Sequence, residues 1–262
     1  MTDLYSIACN FFIYAFLGWC VEVVYAAVNH GKFVNRGFLN GPVCPIYGFG
    51  VVAVLYLLTP LKDNLLLLYA GSVLLTSFLE LFTGFAMDKL FHHKWWDYSN
   101  NPLNIGGYVC LKFSLLWGLA CVLVVDAVEP PIAALVLHLP RSVGRIALAA
   151  CMAAILADAA VTVAGVLKLN KRLKQLDEIA SALHNLSDAI GSNVAEGAIA
   201  ADAAADRAKA ELAAKRAELT ARHEALTERL RSEQKRLIAA FPDLKSRRYP
   251  ELLARVKDSL HK

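Results

Sequence analysis

Charge is scarce over most of this chain. The first 167 of its 262 residues hold 8 Lys+Arg and 9 Asp+Glu, whereas residues 168–262 hold 19 and 14. The net charge of +4 therefore belongs to the last third. There, basic residues alternate with acidic ones and form no cluster, which excludes a nucleic-acid footprint. No GxxxxGK[ST] string occurs, so this polypeptide does not itself hydrolyse ATP through a P-loop. The six cysteines (Cys9, Cys20, Cys44, Cys110, Cys121, Cys151) contain no CxxC pair, and four lie inside apolar runs. They behave as small hydrophobes, and no disulfide framework is expected. The N-terminus lacks a basic leader region and its apolar run is too long for a signal peptide, so no cleavage is expected.

Long apolar runs take the place of charge. A bilayer core is spanned by about 20 apolar residues in helix. Tyr5–Val28, Val43–Leu61, Leu65–Met87, Ile105–Val128 and Arg145–Leu167 meet or approach that length, predicting five spans over residues 1–167. Pro131–Leu139 is too short to span and is bracketed by prolines, so it reads as an interfacial or surface segment. Lys168, Lys171, Arg172 and Lys174 follow the fifth span directly. The positive-inside bias then puts the tail in the cytoplasm and the N-terminus outside. On that count, loops 29–42 and 88–104 share the cytoplasmic face.

Residues 168–262 read as a charged helical tail, coiled-coil-like over 168–240 and ending in a short helix over 250–260. Leu169, Leu173, Leu176, Ala180, Leu183, Ser187, Ile190 and Val194 alternate spacings of four and three, weakened by Gly191 and Gly197. An alanine-rich stretch 198–214 leads to a second stripe of Leu212, Leu219, Leu226, Leu230 and Leu237. Folding back as a hairpin and pairing with a second copy are both open.

Two stretches between apolar helices are too rich in glycine, proline and polar residues to be helix. They are Lys32–Gly50 (KFVNRGFLNGPVCPIYGFG) and Lys89–Gly107 (KLFHHKWWDYSNNPLNIGG). Beneath them, Glu22, Glu80 and Lys112 sit at a common expected depth of roughly 9–12 Å, at about 1.5 Å per helical residue. Ionisable residues inside a membrane are costly and mark function or a satisfied network. The three are expected to meet inside the bundle, with Arg36 supplying a balancing charge. Thr76, Ser77, Thr83 and Gly84 flank Glu80 as a small polar stripe that admits another helix. Gly18, Trp19, Tyr25 and Ala26 flank Glu22. Asp158 stands deeper and needs a partner from another helix. Asp97 is a second candidate partner for Arg36. Cys44 has no evident base to activate it as a nucleophile. His92 and His93 with Asp97 have poor metal-ligand spacing, while Trp95, Trp96 and Tyr98 fit an interfacial aromatic belt.

The strings GWCVEVVY (18–25), NRGFLNGPVCPIYGFG (35–50), ELFTG (80–84) and WWDYSNNPLNIGGYVCLKFSLLWG (95–118) resemble the ABC-transporter type IV family, also called CmpB-like permeases. The likeness covers roughly residues 8–125, and FPDLKSRRY (241–249) is similar to the C-terminal end of longer members. The resemblance implies a bacterial multi-pass membrane protein. Its motif residues here are Glu22, Asn35, Arg36, Gly37, Gly41, Pro42, Pro45, Tyr47, Gly48, Glu80, Trp96, Asp97, Tyr98 and Asn104.

The expected architecture is therefore all-α, a polytopic membrane bundle followed by a cytoplasmic helical tail. The expected function is that of a permease-like transporter component with a polar cavity near the cytoplasmic face. Its candidate ligand- or ion-binding residues are Glu22, Asn35, Arg36, Tyr47, Glu80, Trp96, Asp97, Tyr98, Asn104 and Lys112. No catalytic residue, metal or cofactor is expected. The expected partners are the lipid bilayer, a separate nucleotide-binding subunit and a second copy of the chain through the tail. Two alternatives stand beside this reading: a membrane enzyme acting on a lipid or amphiphile, and a scaffold recruiting a partner through the tail.

Overall fold

Asp3 opens the first helix. Its carboxylate accepts from the Ser6 N–H at 2.9 Å, satisfying one of the first turn's orphan donors. Gly31, at φ 66°, closes α1 (Leu4–His30) in the left-handed conformation that glycine adopts without a Cβ penalty. The computed structural model describes residues 3–197 and 203–260, leaving aside the side chains of 30, 189–206, 208–209 and 259–260. Pro45 starts α2 (Pro45–Leu58), where its missing N–H would be unpaired in any case, and a 3-10 turn, Thr59–Leu61, ends it. Asn64 caps α3 (Leu65–Phe91) by accepting from the Leu67 N–H at 3.1 Å. His92, at φ 59°, takes its left-handed C-cap. Then follow α4 (Leu111–Leu123), a π-helical segment (Val124–Val128), α5 (Glu129–His138), α6 (Arg141–Gly197), α7 (Ala203–Ala240) and α8 (Pro250–Leu260).

The burial pattern is that of a protein solvated by hydrocarbon. Phe16, Val24, Phe49, Leu66, Phe78, Leu116, Ile146 and Leu156 face outward, whereas Ser72, Asp88, Ser114 and Thr162 are buried. Among the described residues, four helical stretches are long and apolar enough to cross a membrane: Leu4–Asn29, Leu65–Phe91, Leu111–His138 and Arg141–Asp188. Pro45–Leu61 is a shorter apolar helix. The chain is an all-α membrane protein.

Two sequence expectations are corrected. Residues 105–110 are not the start of a span. Asn104–Ile105 and Val109–Cys110 pair as an antiparallel hairpin turned by Gly106 and Gly107, at φ 60° and 70°. The helix begins at Leu111. Pro131–Leu139 is likewise not a separate surface segment, because the helix runs on from Leu111 to His138. The reason lies just upstream of the prolines. A proline inside an α-helix lacks its N–H and clashes with the carbonyl four residues back. The π-helical segment Val124–Val128 widens that turn where Pro130 and Pro131 enter.

The chain divides into two compact units, Met1–Ala164 with Arg236–Lys245, and Gly165–Lys235 with Ser246–Lys262. In the first, Val54, Leu58, Leu68, Cys121 and Val125 form an apolar cluster between α2, α3, α4 and the π-helical segment. In the second, α7 returns alongside α6. Lys168 and Arg172 each meet Glu233 at 2.7 Å, and the Gln234 amide donates to the Gly165 carbonyl at 3.3 Å. Leu169, Leu173 and Leu176 are buried, as their spacing predicts, but further along the stripe moves to Ile179 and Leu186 while Ser187 is exposed. The predicted positions Ile190 and Val194, and the first part of the alanine-rich stretch, lie outside the described residues.

Candidate functional site

Glu22, on α1, sits where the 32–44 loop and the start of α2 converge. Its Oε1 accepts from the Tyr47 hydroxyl at 2.6 Å and its Oε2 faces Arg36 Nε at 3.3 Å. The Arg36 guanidinium also lies over the Tyr25 ring, 5.1 Å from its centroid. The approach of α2 to α1 depends on two glycines. A Cβ at Gly18 would overlap the Tyr47 ring, and one at Gly48 would overlap the backbone carbonyl and ring of Phe11. Small residues at these points let Tyr47 reach across to Glu22.

Glu80, on α3, is held from the other side. The Tyr98 hydroxyl donates to its Oε1 at 3.1 Å, and the Tyr98 ring stacks on Phe113 at 4.8 Å. The Trp117 ring stands 5.6 Å from the Tyr47 ring and adjoins Glu80. Burial first, then the Glu80 charge, pushes the Tyr98 phenol well above its ordinary range, so it remains a hydrogen-bond donor. Glu80 Oε2 is buried and has no hydrogen-bond partner among the described residues. Two carboxylates, three hydroxyl or guanidinium donors and an indole thus form one layer under the two loops.

The other predicted residues build the loops. Asn35 Oδ1 accepts from Trp19 Nε1 at 2.8 Å and from the Gly37 N–H at 3.1 Å, while its Nδ2 donates to the Asn40 carbonyl at 2.7 Å. Trp96 Nε1 donates to the Tyr108 carbonyl at 2.8 Å. Asn104 donates to the Asn101 carbonyl at 2.8 Å and accepts from the Gly107 N–H at 3.0 Å. Asp97 Oδ1 takes Lys94 at 2.8 Å and the Ser99 hydroxyl, and its Oδ2 takes Lys245 at 2.6 Å. Burial alone would raise the Asp97 carboxyl, but the bonds from Lys245, Lys94 and Ser99 outweigh it and hold it well below the usual carboxylate range.

Two expectations about pairing do not hold. Arg36 pairs with Glu22 and not with Asp97. Lys112 is exposed over the Phe113 ring, 5.7 Å away, and joins neither carboxylate. It falls in the first turn of α4, since the helix starts at Leu111 and not at Ile105. Asp158 has the partner that its sequence neighbours did not reveal. It accepts from the Asn40 and Gly41 N–H groups at 3.1 and 2.6 Å, from Asn40 Nδ2 at 2.7 Å, and from Thr162 one turn on.

Several polar groups escaped the sequence reading. Glu129 accepts from Asn10 Nδ2 at 3.0 Å and the Tyr14 hydroxyl at 2.7 Å. The i, i+4 spacing of Asn10 and Tyr14 on an apolar helix was the available signal. The Tyr108 hydroxyl donates to buried Asp88. With Glu22–Tyr47 and Glu80–Tyr98, four carboxylates of the bundle are each met by a tyrosine hydroxyl from another element. Arg236, Phe241 and Lys245 also reach the loops from the end of α7 and beyond, with no local pattern to announce them.

No curated protein and no solved structure shows significant similarity to the chain. A family model described as "Putative ABC-transporter type IV" matches residues 9–163, more than half of the chain and nearly all of the helices around the two loops. The chain belongs to that family.

Proposed function

We propose that this chain is the membrane-embedded component of a transporter, and that the layer of Glu22, Arg36, Tyr47, Tyr98 and Glu80 is where its ion or solute engages. The observation that carries this reading is the open acceptor on Glu80. Buried polar atoms are nearly always hydrogen-bonded, and a network built only to fix helix register closes its bonds. Here Glu80 Oε2 makes no hydrogen bond within ordinary distance among the described residues, and with the Trp117 indole beside the carboxylate it is the acceptor offered to a group that comes and goes. The basic residues after Leu167 support a tail in the cytoplasm and an N-terminus outside, which puts the layer at the cytoplasmic end. With no P-loop in this sequence, ATP hydrolysis falls to a separate nucleotide-binding subunit. The enzyme reading is weaker because Cys44 is buried and serves as the N-cap residue of α2.

A thermal-shift titration of the purified protein in nanodiscs tests the proposal, with sodium, potassium, magnesium and phosphate followed by small amphiphiles as probes. Anything that binds the folded state raises its apparent stability. A stabilising probe whose effect is lost in Glu80→Gln and kept in Lys112→Gln supports the site. Equal responses of wild type and Glu80→Gln to every probe overturn it.

A further inference from the structure

Residues Arg236–Lys245 lie across both loops, and three of their side chains meet three different chemistries. Arg236 donates to a row of successive carbonyls, with Nη1 at 3.2 and 3.1 Å from those of Gly37 and Leu39 and Nη2 at 3.1 Å from that of Phe38. Phe241 meets the Trp95 indole edge-on at 4.9 Å, while Phe38 meets the same indole at 5.0 Å. Lys245 caps Asp97 Oδ2 at 2.6 Å.

Each loop also has supports of its own. The first is folded by Asn35 within itself and by Asp158 from α6. The second is folded by Asp97 Oδ1, Lys94 and Asn104. Among the groups that residues 236–245 meet on the loops are three carbonyls, one indole and one carboxylate oxygen, while Leu237, Ile238, Ala240 and Leu244 of the segment are themselves buried. A guanidinium fork suits the first, an aromatic ring the second and an ammonium the third. The segment lies outside the matched family region, and its two ends lead into the second unit by chain connectivity.

We propose that the paired loops form a ready-made recognition surface for a short segment carrying an arginine, an aromatic five residues on and a lysine four after that, and that residues 236–245 are its resident, detachable occupant. Tethering makes the occupant hard to displace, since a linked segment acts at an effective concentration of about a millimolar. This inference is independent of whether the chain transports anything.

The test uses the full-length protein in nanodiscs and a fluorescent synthetic peptide of residues 234–247, read by anisotropy. In the wild type the surface is filled and the peptide binds weakly. Arg236→Gln or Lys245→Ala in the protein loosens the resident segment, and peptide affinity rises by about tenfold or more as the free fraction of the surface grows. A peptide carrying Arg236→Gln does not bind, and adding Asp97→Asn to the loosened protein lowers peptide affinity again. Lys245→Ala changes a solvent-accessible side chain and keeps the comparison open if Arg236→Gln does not fold. Variants that fold yet bind the peptide no better than wild type overturn the proposal. Peptide binding that is indifferent to the loss of its arginine also overturns it.

Discussion

Asp158 and Arg236 grip the same five residues of backbone by opposite polarity. From α6, Asp158 takes the N–H groups of Asn40 and Gly41, and from the end of α7, Arg236 takes the carbonyls of Gly37, Phe38 and Leu39. Irregular backbone at a membrane is tolerated only where its polar groups are paired. Here one carboxylate and one guanidinium pair six of them, counting the Asn40 amide. Burial draws the Arg236 guanidinium below its ordinary value, and the Asp158 charge opposes that and helps to keep it ionised.

Asp158→Ala leaves the Asn40 and Gly41 N–H groups without a carboxylate, and the expected loss is about 2–3 kcal/mol for hydrogen bonds to a charged group. Arg236→Ala has a cost of the same order. Because both hold one loop, releasing either lets the loop move and weakens what the other contributes. The double variant is therefore less destabilised than the sum of the singles. Denaturant midpoints in detergent for the four members of the cycle measure this, with hydrogen exchange at residues 37–41 as the local readout. Strict additivity refutes the shared grip.

How much of this was legible in the sequence depends on the range of each interaction. Helix periodicity and span length located Glu22 and Glu80, and Arg36 next to a carboxylate, because these follow from local arithmetic. Lys112 was misplaced because Ile105–Cys110 has an apolar tint, while Gly106 and Gly107 in left-handed conformations make it a hairpin. Glu129 was hidden behind Pro130 and Pro131, which read as a break until the π-helical segment accommodates them. Arg236, Phe241 and Lys245 act on groups more than 140 residues away in sequence, and no periodicity encodes such a pairing.

The two glycines of α2 give a sharp comparison. Gly48→Ala drives a Cβ into the backbone of Phe11, which cannot yield as a side-chain tip can, and overpacking of this kind costs about 1–3 kcal/mol. Gly50, two residues on in the same helix, has nothing within 4 Å of the corresponding Cβ. Gly50→Ala is then neutral or slightly stabilising through helix propensity, by up to about 1 kcal/mol. Thermal midpoints of the two variants in one detergent decide the matter. Equal midpoints mean that close helix approach at Gly48 is not what holds Tyr47 against Glu22.

Tyr98→Phe removes the donor to Glu80 Oε1 while keeping the ring that stacks on Phe113. The buried carboxylate then loses one of its two neighbouring donors and keeps the Trp117 indole, at an expected cost of about 1–3 kcal/mol. Glu80→Gln in the same chain supplies a neutral group in the carboxylate's place and recovers part of that loss. Unfolding of Tyr98→Phe, Glu80→Gln and the double variant measures the coupling. A double variant no more stable than Tyr98→Phe alone contradicts an ionised or unsatisfied Glu80 as the source of the loss.

Asp97 predicts a pH limb on stability. Its folded-state carboxyl is held below the unfolded value by Lys245, Lys94 and Ser99, so its contribution is fully present above the unfolded value, about pH 4. It is lost as the pH falls from there through the folded value, where the proton that the unfolded chain already binds must be forced onto the native one. Thermal midpoints measured downward from neutral pH therefore decline below about pH 5 in the wild type. Asp97→Asn starts lower at neutral pH and declines less steeply. Lys245→Ala removes one of the two ammonium partners, raises the folded-state value and shortens the limb from its acid end. The Lys94 partner remains, so the limb does not vanish in that variant. If Asp97→Asn reproduces the wild-type slope across this range, Asp97 is not the titrating group and the second loop is held by other means.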